Sequence, residues 1–65
     1  MTQAYIEYRA LLGELNTLET SGQGNSPLAN QIRQQLVALW PKLTPAEQQA
    51  VLALAAYYAY EQRIH

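Results

Sequence analysis

The sequence contains no cysteine, a single histidine, a single tryptophan and very few charges. Without cysteine there can be no disulfide, no thiolate metal site and no cysteine nucleophile. The lone histidine, His65, is the last residue, so a zinc site would have to be built mostly from carboxylates, which zinc seldom accepts alone. No metal site, cofactor or small-molecule ligand is therefore expected. Charged residues are 14% of the chain, well below the about 25% of ordinary globular proteins. Four basic and five acidic side chains leave a net charge of −1. Arg9, Arg33, Lys42 and Arg63 are scattered, whereas nucleic-acid binding needs clustered cations that release counterions from phosphates. A basic membrane-binding face is missing for the same reason.

Long apolar runs are absent too. The longest, Ala50 to Tyr60, has 11 residues, against the roughly 20 that span a bilayer. The opening segment MTQAYIEYRALL has no basic start and carries Glu7, so it is not expected to be a signal peptide. A cytoplasmic protein is the expectation that follows.

What is present is a chain of 65 residues, 49% of them apolar. That is enough for a folded core and too much for a disordered tail. The length suits one small domain over residues 1–65, which hides only roughly 60% of its unfolded surface. Glutamine, with eight residues, occupies much of the polar surface that charges would ordinarily hold.

Glycine and proline sit almost entirely between periodic segments, and three helices are predicted, over about 3–19, 27–40 and 45–63. In the first, Thr2 is the expected N-cap. Ala4, Tyr8, Leu11, Leu15 and Leu18 recur at spacings of four and three, with Tyr5 and Leu12 beside them, an apolar arc of roughly 140°. Ile6 falls outside it. The stretch Thr20–Ser26 reads as a loop in which Gly22 or Gly24 ends the helix. It cannot be a phosphate loop, which needs a preceding strand and a lysine at fixed spacing.

The second helix opens on Ser26 with Pro27 at its first position. Leu28, Ala29, Ile32, Leu36, Leu39 and Trp40 share its core face, and Val37 lies off it. Pro41 disfavours helical geometry at Trp40, so the helix is expected to end or bend there. The third helix has the clearest start: Thr44, Pro45 and Glu47 form a capping box. Ala46, Ala50, Ala53, Tyr57, Tyr60 and Ile64 recur along it, and Val51, Leu54 and Tyr58 widen the arc to roughly 180°. Such a face is broad enough for two neighbours. Leu52 stands apart from it. An all-α, compact three-helix bundle is predicted. The alternative is a helical hairpin completed by homodimerisation, because small size and weak surface charge favour association.

Tyr8, Leu12, Gly22, Gly24, Ser26, Leu39, Trp40, Leu43, Thr44 and Glu47 together resemble the layout of a loose class of short, uncharacterised bacterial helical proteins. The likeness covers about residues 5 to 50 and implies a bacterial, all-helical protein with no assigned activity. The string LTPAEQQAVLALA, Leu43 to Ala55, is similar to the entry into the helix-turn-helix of bacterial response regulators and sigma factors. That likeness implies a nucleic-acid-binding or regulatory module. The tyrosine-rich stretch from Ala56 to Tyr60 follows without a turn signal, however, where those proteins turn into the recognition helix.

No catalytic set emerges, since His65 is terminal, Glu47 serves as a cap, and Glu7 and Glu14 lie on a polar helix face. A paired-carboxylate site would need a pocket this chain can scarcely enclose. The aromatic residues are the unusual feature. Tyr8, Tyr57 and Tyr58 are predicted to point into the bundle, and Tyr60 to face outward. Ile6, Val37, Trp40, Leu52 and Tyr60 are the candidate protein interface. The expectation is a small non-catalytic protein acting by protein–protein contact, with a homodimer as the leading form.

Overall fold

Capping chemistry sets where each helix begins. The Thr2 hydroxyl accepts the Tyr5 amide at 3.2 Å, and the Ser26 hydroxyl accepts the Ala29 amide at 3.2 Å. At the third start the exchange is mutual: the Thr44 amide donates to the Glu47 carboxylate at 2.9 Å and the Glu47 amide to the Thr44 hydroxyl at 3.2 Å. Each bond satisfies an amide that has no partner within its own helix. In the computed structural model, which describes residues 1–63, these caps open helices α1 (Gln3–Thr20), α2 (Pro27–Leu39) and α3 (Pro45–Arg63). A single 3₁₀ turn, Trp40–Lys42, links α2 to the approach to α3. Among the described residues there is no strand.

Helix α1 ends on a glycine-based motif. Gly22 takes the left-handed conformation, with φ of 82°. The Gly22 amide donates to the Glu19 carbonyl at 3.2 Å and the Gln23 amide to the Leu18 carbonyl at 2.7 Å. This pair of bonds is the Schellman arrangement, and it turns the chain back towards α2.

Pro41 ends α2 where its position predicts, but does not push Trp40 out of helical angles. Trp40 keeps right-handed helical angles, φ −51° and ψ −50°, and its amide still reaches the Leu36 carbonyl. The backbone tightens instead of breaking, because a 3₁₀ turn asks its opening residues for no donor and suits the fixed φ of proline. The turn closes with the Leu43 amide on the Trp40 carbonyl at 3.2 Å, and α2 itself stops one residue short of Trp40.

Two small clusters make the core, and α1 contributes to both. Leu15 packs with Ala29, Ile32 and Leu36 of α2, flanked by Tyr8, Leu11, Leu12 and Leu18. Tyr5 packs with Leu43 and Val51, flanked by Ala4, Tyr8 and Trp40. Tyr8 therefore touches both clusters, and burial pushes its hydroxyl pKa above the ordinary value. The chain is a three-helix bundle in which α1 meets both other helices, while α2 and α3 scarcely meet each other. The bundle is flattened, with extents of 31 × 25 × 13 Å and a radius of gyration of 11.8 Å. A rounder domain of this length would have a radius of about 10.7 Å.

Polar ties hold both ends of this open arrangement. At the C-terminal end of α1, Glu19 pairs with Arg33 of α2 at 3.5 Å, and Gln62 of α3 donates to Asn16 at 2.7 Å. Near the 3₁₀ turn, the Gln48 side chain donates to the Trp40 carbonyl at 3.1 Å.

The flattening explains where the predicted core faces fall short. Leu28, expected inside, is 54% exposed at the start of α2. On α3 only Val51 is fully buried. Ala46, Ala50 and Ala53 are exposed, and Tyr57, expected to point inward, is 55% exposed. An arc of roughly 180° needs two neighbouring helices to cover it, and α3 has only α1. Ile64 and His65 lie outside the described residues.

Candidate interaction surface

The outer face of α3 is built almost wholly from alanine and tyrosine. Ala46, Ala50, Ala53, Tyr57 and Tyr60 follow one another at alternating four- and three-residue steps, so they form a single strip along the helix. All five are exposed. The inner face, Val51, Leu54, Ala55 and Tyr58, is buried or half-buried. The helix is thus apolar on both sides. Such a helix is ordinarily enclosed by protein or lipid. No helix among the described residues is long and apolar enough to cross a membrane.

Within the strip, Tyr57 is held in place. Its hydroxyl donates to the Glu61 carboxylate at 2.6 Å, and its ring lies 6.1 Å from that of Tyr58, tilted by 55°. The hydrogen bond to Glu61, reinforced by the nearby carboxylate charge, holds the Tyr57 hydroxyl above its ordinary pKa.

The five predicted interface residues fall in different places. Tyr60 is 63% exposed on the α3 strip, and Leu52 is 51% exposed further round the same helix. Val37, at 75%, stands on α2, and Ile6, at 53%, on α1. Counting about 100° per residue, Ile6 points roughly 160° away from the Leu11–Leu15 side that packs on α2. It therefore faces away from the helix that carries Val37. Neither the groove between α1 and α2, nor the two smaller ones beside Leu12 and Leu18, is lined by Ile6, Val37 or Leu52. Trp40 is half-buried and belongs to the second core cluster, with its ring 6.1 Å from that of Tyr8. Its main contact is within the fold.

A polar node escaped prediction. Glu47 caps its own helix and also reaches across to α1. Its carboxylate accepts the Thr2 amide at 3.0 Å and the Thr2 hydroxyl at 3.0 and 3.1 Å. The Thr2 hydroxyl in turn accepts the Tyr5 amide, so one carboxylate links the first turns of two helices. These bonds, from the Thr2 amide first and then the Thr44 amide, hold the Glu47 carboxyl below its usual pKa. A capping-box glutamate has a spare oxygen lone pair, which is a signal for this role, but only tertiary structure says which donor takes it.

The grooves are open, and those between α1 and α2 and beside Leu28 are mainly apolar. One of about 480 Å³ runs between α1 and α2 and is lined by Glu7, Ala10, Leu11, Gln35, Ala38 and Leu39. The described residues contain no group of three or more histidine, cysteine, aspartate or glutamate side chains placed to hold a metal ion. They contain no buried side-chain polar atom without a partner. Compared with protein-family models, curated proteins and solved structures, the chain matches none.

Proposed function

We propose that this chain is a non-catalytic helical module that acts through protein–protein contact, with the outer face of α3 as the contact surface and a second copy as the partner. The observation that carries this is the exposed strip Ala46, Ala50, Ala53, Tyr57 and Tyr60, on a helix whose opposite side already packs on α1. Tyrosine suits such a surface because it combines a large apolar ring with a hydroxyl that tolerates water. Low surface charge lowers the electrostatic barrier to association. The cytoplasm is the compartment that fits a chain of this composition.

Light scattering across a range of protein concentrations tests the proposal, together with the double substitution Ala53→Glu and Tyr60→Glu, both on the exposed strip. The parent chain is expected to rise above 7.3 kDa as concentration increases. The double variant is expected to stay at monomer mass with its helical circular dichroism largely kept. A variant that associates as the parent does would show that another surface is responsible.

A further inference from the structure

Resting on that proposed contact, we infer that two copies pair α3 against α3 in an antiparallel sense, as a short two-helix coiled coil. In heptad terms Ala50 and Tyr57 take the a positions, and Ala46, Ala53 and Tyr60 the d positions. A strict repeat of 3.5 residues is the seam that another helix fits, and a sheet edge or an irregular loop has no matching period.

Side-chain volume fixes the direction. The strip has a small half, Ala46 to Ala53, and a large half, Tyr57 to Tyr60. Parallel pairing stacks tyrosine on tyrosine at one end and alanine on alanine at the other, so the helices must diverge and leave a gap. Antiparallel pairing centred near residue 55 sets Tyr57 against the partner's Ala53 and Tyr60 against the partner's Ala50. Large then meets small at four successive layers, which is how close-packed interfaces avoid voids.

Two further features agree. Opposed helices set their dipoles head to tail. The hydroxyl bond from Tyr57 to Glu61 fixes the ring before contact, which reduces the ordering cost of binding. Against these, Glu47 and the partner's Glu61 fall on the same side of the seam, a like-charge approach that weakens the pair. Each carboxylate already accepts hydrogen bonds within its own copy, Glu47 from Thr2 and Thr44 and Glu61 from Tyr57.

The area decides the strength. At 55% and 63% exposure, the two tyrosines leave roughly 240 Å² open. With the alanines and flanking residues the strip reaches on the order of 500 Å² per copy, below the roughly 800 Å² of a standard interface. The dimer is therefore weak and depends on concentration.

Because the chain has no cysteine, single cysteines report the geometry directly. Ala50→Cys and Ala56→Cys alter exposed alanines and leave the core untouched. In the antiparallel pair the two Ala56 positions flank the symmetry axis, whereas the two Ala50 positions are about 15 Å apart along the helix direction. A short bis-maleimide is expected to cross-link Ala56→Cys in high yield and Ala50→Cys in at most a tenth of that yield. The parent mass should rise from 7.3 kDa towards twice that value between micromolar and millimolar concentration. Preferential cross-linking of Ala50→Cys would overturn the antiparallel order while leaving the contact surface in place. Doubled mass with neither variant cross-linked would overturn α3 as the seam but not self-association. A mass that stays at the monomer value throughout would overturn both.

Discussion

Replacing Gly13 with alanine should make this protein more stable. Gly13 lies in the middle of α1, where glycine costs about 0.5–1 kcal/mol relative to alanine because its unfolded backbone is so free. Whether alanine realises that gain depends on space, since α1 meets α3 here. A Cβ at position 13 would meet the Tyr58 hydroxyl oxygen at 3.7 Å, ordinary van der Waals contact, and the backbone there is not left-handed. Nothing has to move. The expected gain is therefore about 0.5–1 kcal/mol, which for a domain this small raises the midpoint by roughly 4–7 °C. Thermal and urea unfolding followed by helical circular dichroism, at one low protein concentration, measures it. Gly22→Ala is the paired control. Its φ of 82° strains any Cβ, so it should lose about 1–2 kcal/mol, although no atom stands within 4 Å. If Gly13→Ala proved destabilising, the α1–α3 approach would be closer than this geometry allows and the argument would fail.

Ser26→Ala removes the hydroxyl that caps α2 and should cost about 1 kcal/mol in the same unfolding assay. Ile32→Ala, at a site 2% exposed, should cost about 2–5 kcal/mol, enough to unfold much of the population of so small a domain, whereas Val37→Ala should change stability by under about 0.5 kcal/mol. Glu47 also predicts a pH dependence. Its folded pKa lies below the ordinary 4.5, so its contribution is complete above that value and is lost as pH falls through the lower, folded pKa. Unfolding curves collected from neutral to acid pH should show that loss, and Glu47→Gln should flatten the slope in this window.

The helix starts were readable because each depends on residues adjacent in sequence. Thr2, Ser26 and the Thr44–Glu47 pair all cap where local chemistry predicts, and Gly22 supplies the left-handed turn. The core face of α1 was readable as well, since α1 has neighbours on two sides and its apolar arc is filled. Helix α3 was not, because its apolar arc runs over both halves of the helix. Periodicity alone cannot say which half α1 will take; packing chose Val51 and Tyr58 and left Tyr57 outside. At Trp40 the end of α2 was readable, but the helical angles that Trp40 keeps were not. The rule that disfavours helical angles before proline is local, and burial of Trp40 beside Tyr8 and Leu43 outweighs it. The second bond of Glu47, to Thr2, spans 45 residues, a separation no local pattern encodes.

Tyr8 belongs to both core clusters, and this has a consequence for how the molecule opens. Cluster one lies between α1 and α2, and cluster two joins the start of α1 to the start of α3. Beyond Val51, α3 is held only by half-buried side chains and a few polar ties. Amide hydrogen exchange should therefore divide the chain unevenly. The amides at the centres of α1 and α2 should exchange only through global unfolding, and those from Ala56 onward through a cheaper opening of the α3 end. A second copy bound along α3 would slow the latter selectively. The turns of α3 that carry Tyr57 and Tyr60 are thus also the ones expected to open at least cost.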